Sequence, residues 1–142
     1  MLARGLASAV ASVYDAPMPA DFSPVFAALK PVFATAARRL AVAADSTTEY
    51  ALKTRSPSPF PQHQGQPLDF GSVRVGKAYV SVHLLPIYMS PPLMKRITPA
   101  LKQRMQGKSC FNFTTVPAPE IVRELRALAE ASLTEWAEKK WL

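Results

Sequence analysis

The chain has 142 residues, 49% hydrophobic and 19% charged, with 17 Lys and Arg against 10 Asp and Glu, a formal net charge of +7. That balance excludes a disordered polyelectrolyte and supports a domain with a real core, and no run of about 18 apolar residues exists to predict a transmembrane helix. A single cysteine, Cys110, rules out an intrachain disulfide and fits a reducing, cytoplasmic setting.

Residues 1–20 read as an N-terminal extension. Leu2, Leu6, Ala9 and Val13 recur at helical spacing, which predicts a short amphipathic helix rather than a cleaved targeting peptide. The domain proper spans 21–142. Ser23 before Pro24 predicts an N-cap with proline at the first helical position. Phe22, Val25, Phe26, Leu29, Val32, Phe33, Ala36 and Leu40 then mark one buried helix face. Pro31 should kink it, and Asp45 to Thr48 should end it.

Glu49–Thr54 reads as a strand running into the proline-rich 55–67 loop, where Pro57, Pro59, Pro61 and Pro67 bar a central ladder. Asp69–Val75 and Lys77–Leu85 read as a hairpin around Gly76. Val80, Val82 and Leu84 alternate with Tyr79, Ser81 and His83, so the sheet should be covered on one side only. Ser90-Pro91-Pro92 and Thr98-Pro99 each start a helical turn, with Leu101 and Met105 inward and Gly107 as the stop. Ser109–Thr114 is a strand with Phe111 and Phe113 on one face and Cys110 and Asn112 on the other. Pro119 opens a long last helix to about Lys140, with Ile121, Val122, Leu125, Leu128, Ala129, Leu133 and Trp136 as its buried stripe. The order implies an α+β domain, with terminal helices packed on one face of a mostly antiparallel sheet.

The charge is not evenly spread. Between Phe70 and Pro119 stand Arg74, Lys77, Lys95, Arg96, Lys102, Arg104 and Lys108 without one carboxylate, while the remaining residues balance ten against ten. The stretch is a candidate surface for an anionic partner, whether nucleic acid, a phosphate ligand or an acidic protein. Tyr79 and Tyr88 are the aromatics placed to stack there. Gln106-Gly107-Lys108-Ser109 is not a P-loop, because position 102 is Lys where a glycine is required. Alternation sends Tyr79, Ser81, His83, Cys110 and Asn112 to the open sheet face, where His83 and Cys110 suggest a soft-metal or thiol site lacking a third group. Glu120 and Glu124 stand among Arg123 and Arg126 and read as a solvated helix face, with Glu135 and Lys139 a helix-stabilising pair.

Gly76-Lys-Ala-Tyr-Val-Ser-Val-His-Leu-Leu-Pro86, Tyr88-Met-Ser-Pro91 and Leu101-Lys-Gln-Arg-Met-Gln-Gly-Lys-Ser-Cys-Phe-Asn-Phe113 resemble the YdhG-like family, a bacterial family of domains of unknown function. The resemblance implies a frataxin-like α+β fold and, for some members, an iron-chaperone role. Iron binding of that type relies on a carboxylate ridge along the first helix and strand. Here Asp21, Asp45 and Glu49 stand among Lys30, Arg38 and Arg39, so iron enters through the resemblance alone. The residues themselves point to a non-enzymatic binding domain without a resident cofactor. An iron-binding chaperone and a thiol- or His-dependent enzyme are the alternatives. No membrane partner is expected, and the open sheet face is where a second copy would dock.

Overall fold

The computed structural model describes residues 21–142, so the helix expected within 1–20 lies outside the described residues. The fold is α+β, with five helices and a six-stranded sheet among the described residues, and neighbouring strands all pair antiparallel. Helix α1 (Ser23–Leu29) leads through two 3-10 turns, Lys30–Phe33 and Ala36–Arg39, into β1 (Ala41–Asp45) and β2 (Glu49–Pro57). Strands β3 (Pro67–Val75) and β4 (Val80–Leu84) follow as a hairpin. Three short helices, α2 (Leu85–Met89), α3 (Pro91–Lys95) and α4 (Pro99–Lys102), then carry the chain over to β5 (Met105–Gln106) and β6 (Cys110–Phe113). Helix α5 (Pro119–Glu138) closes the domain. The sheet order is β1-β2-β3-β4-β6-β5.

Pro31 breaks the first helix as its missing N–H requires, but the chain then turns extended at Leu40 rather than continuing to Asp45. The Ala-rich 41–45 segment becomes edge strand β1, because pairing with β2 outweighs the helix preference of alanine. The cap of α1 also differs from expectation. Ser23 is its first helical residue, and the Asp21 carboxylate accepts the Ser23 amide at 3.0 Å. That bond holds the Asp21 carboxyl below its ordinary value. The proline-rich segment contains more strand than expected. Pro57 and Pro67 face each other at the end of the β2–β3 ladder, where neither needs to donate a hydrogen bond. Gly107 adopts a positive φ of 74° in the β5–β6 turn rather than stopping a helix.

The core lies between one sheet face and the two long helical segments. Phe33 from the 3-10 turn, Phe70 from β3 and Trp136 from α5 meet edge to face, with centroids 6.4 and 5.5 Å apart. Leu29, Leu52, Val73, Val82, Phe111 and Leu125 complete a single buried cluster. Among the described residues no helix covers the opposite sheet face, which carries Ser72, Arg74, Ser81, His83, Cys110 and Asn112. None of the described helices is long and apolar enough to cross a membrane.

Candidate functional site

The segment joining β4 to β5 is punctuated by four prolines. Pro86, Pro91, Pro92 and Pro99 each fall in the first turn of a short helix, where a missing amide costs nothing. Ser90 and Thr98 cap α3 and α4 by accepting the amides of Leu93 and Leu101. The three helices are therefore separate short elements. A groove of about 580 Å³ opens between them and the β5–β6 turn.

The groove is lined by Ile87 and Tyr88 of α2, Pro91 and Met94 of α3, Lys102 of α4, and Met105, Gly107 and Lys108 of β5 and its turn. Tyr88 is 60% exposed although aromatic, and it sits on α2 rather than in a loop. The Lys108 ammonium stands 5.8 Å from its ring centroid. Among the described residues those two lysines are the only charged groups lining the groove. An apolar trough that also carries two cationic groups is suited to an anion that has an apolar or aromatic body.

The other five cations do not converge there. Arg74 lies on the open sheet face, with its guanidinium 3.0 Å from the Glu49 carboxylate. Lys77 is in the β3–β4 turn, and Lys95 is exposed at the end of α3. Arg96 borders a depression that also holds Glu135 and Glu138, while Arg104 borders another lined by 113–118. The uninterrupted positive stretch is thus a sequence feature that folding divides among several surfaces.

The open-face group assembles in part. Strands β4 and β6 are neighbours, with Ser81 opposite Asn112 and His83 opposite Cys110. The Leu84 amide donates to the Ser109 carbonyl at 2.9 Å. The adjoining His83–Cys110 pair is therefore of the kind that exchanges no backbone hydrogen bonds and brings side chains closest. Ser81 Oγ donates to Asn112 Oδ1 at 2.8 Å, and Asn112 Nδ2 donates to Gln106 Oε1. A depression of about 300 Å³ is lined by Ser72, Arg74, Ser81, His83 and Cys110. Burial pushes the His83 imidazole below its ordinary value; Asp69 opposes that shift and Arg74 adds to it. Tyr79 falls outside β4, in the hairpin turn, and does not share the depression.

Among the described residues, no group of three His, Cys, Asp or Glu side chains stands close enough to hold a metal ion. Asp45 is engaged by Lys30 at 2.9 Å and Glu49 by Arg74 at 3.0 Å. The carboxylates present do not fit the iron site that the YdhG-like resemblance implies. No protein-family model, curated protein or solved structure matches the chain.

Sequence reading missed the groove because its lining comes from four separated segments. Met94 and Met105 carry the periodicity of core residues yet are only half-buried at its walls. The one available signal was an aromatic, Tyr88, standing amid the prolines of a carboxylate-free stretch.

Proposed function

We propose that the chain is a binding domain that takes an anionic partner in the groove between α2, α3 and the β5–β6 turn, and that it acts by binding rather than by catalysis. The observation that carries this reading is the pairing of an apolar trough and an exposed Tyr88 with two lysines as its only charged lining among the described residues. The volume lies within the range of small-ligand clefts, which favours a phosphate or carboxylate ligand over an extended polymer or an acidic protein face. Kinship with the YdhG-like family and a frataxin-like arrangement belong to the same reading, supported by helices gathered on one face of an antiparallel sheet.

The test is an amide NMR titration with phenyl phosphate and with a short random oligonucleotide, each at low and at physiological salt. The expected result is phenyl phosphate shifts centred on Tyr88, Met105 and Lys108 that weaken with salt. Lys102→Gln with Lys108→Gln should lower that affinity at least tenfold. Silence from both probes at both salts would reduce the positive stretch to a solvated surface.

A further inference from the structure

Tyr88 lines two grooves. On its other side lies a second trough of about 280 Å³, bordered by Phe60, Leu68, Leu85 and Met89, with Gln62 and His63 at its margin. Among the described residues no acidic side chain lines either one. The two troughs share Tyr88 and together make a track with both lysines in the first trough, apolar side chains along its length and the polar Gln62 and His63 in the second.

We infer that this track binds a single-chain alkyl anion, with its head group on Lys102 and Lys108 and its chain passing Tyr88 toward Phe60 and Leu68. This rests on the anion-binding reading of the first groove and adds the class of ligand. Charge complementarity fixes the polarity, because both lysines line the first trough and no Lys, Arg, Asp or Glu among the described residues lines the second. The methionines Met94, Met105 and Met89 are placed along the walls, and their unbranched, polarisable side chains adapt to a flexible chain. The exposed Tyr88 ring gains a hydrophobic partner on both sides. An alkyl chain satisfies both troughs, whereas inorganic phosphate or a compact aromatic phosphate fills only the first.

The experiment is a chain-length series on the full chain: monoalkyl phosphates from ethyl to decyl, each held below its micelle concentration, with phenyl phosphate and anionic phospholipid vesicles as separate arms. Affinity should rise about two- to fourfold per methylene as successive groups are buried. Longer members should shift the Phe60 and Leu85 amides and alter tryptophan emission, since Trp141 packs edge to face on Phe60 at 5.3 Å. Lys102→Gln with Lys108→Gln should weaken every member by a similar factor and preserve the slope. Tyr88→Glu, at an exposed position with the amide spectrum checked for folding, should flatten the slope. Phenyl phosphate binding with no dependence on alkyl length would sink the track while leaving the anion site intact. No binding by any probe would sink both, and binding to vesicles without binding to monomers would replace the track with a membrane-surface contact.

Discussion

Glu124 takes both hydrogens that Thr98 offers, the backbone amide on Oε2 at 2.8 Å and the hydroxyl on Oε1 at 2.6 Å. Three turns further along α5, Glu135 Oε1 accepts the Ser90 hydroxyl at 2.8 Å. Ser90 and Thr98 are the N-caps of α3 and α4. The last helix therefore holds the two rods that form the groove by their caps, and Glu124 is more than part of a solvated face.

Breaking one clamp should have two readouts. Thr98→Ala should cost about 1–2 kcal/mol through the lost cap and the lost charge-assisted bond. A double-mutant cycle with Glu124→Ala in urea should return a coupling of about 0.5–1.5 kcal/mol. Because α4 carries Lys102, the same change should weaken anion binding without touching the ligand. A coupling near zero would mean the contact does not organise the insert.

Gly71 should be intolerant of any side chain. Lys53 faces Asp69 and Leu52 faces Gly71, so Phe70 is an extra residue in β3 and both Phe70 and Gly71 turn inward. A Cβ at Gly71 would stand 2.5 Å from Phe33 Cε1 and 2.9 Å from the His83 carbonyl oxygen. Gly71→Ala should destabilise the domain by about 1–3 kcal/mol in denaturant unfolding through overpacking. Phe33→Leu in that background should recover part of the loss. If Gly71→Ala is neutral, the bulge and the ring do not pack in this way.

Much of the architecture was legible because it rests on local rules. Period-two alternation placed Val82 and Phe111 inward and His83 and Cys110 outward, and the long apolar stripe of α5 ended on Trp136. Strand β1 was not legible, since alanines at 41, 43 and 44 read as helix until β2 supplies a partner. The His83–Cys110 neighbourhood depends on β6 returning beside β4 after twenty-five intervening residues, a pairing that no local pattern specifies. The cationic stretch illustrates the reverse. It was plain in the sequence, yet only Lys102 and Lys108 share the groove, because Arg74 lies on β3, Lys77 in the β3–β4 turn, Lys95 and Arg96 at the end of α3 and Arg104 beyond α4.

Trp136 should tolerate phenylalanine better than most buried tryptophans. It is 0% exposed, and its indole Nε1 has no hydrogen-bond partner among the described residues. Its ring meets Phe70 and Trp141 edge to face. Trp136→Ala should cost about 3–5 kcal/mol from lost packing. Trp136→Phe should cost less than half of that, because no hydrogen bond is broken and an unpaired buried donor is removed. Equal losses in the two variants, measured by urea unfolding, would show that the indole N–H has a partner after all.

His83 should make stability fall as the solution is acidified through the histidine range. Its imidazole is half-buried beside Asp69, Arg74 and Cys110, and burial lowers its folded value below the ordinary 6.5. Between the folded value and 6.5 the unfolded chain binds more protons than the folded one, so stability rises with pH across that window and flattens above it. On acidification, the contribution is lost progressively below about pH 6.5 and levels off only beneath the folded value. His83→Gln should shrink the difference between urea midpoints at pH 7 and pH 5, and His63→Gln serves as the control for the other histidine. A His83→Gln variant that keeps the whole pH 5–7 slope would place the buried proton uptake on another group, and the open-face depression would lose its titrating element.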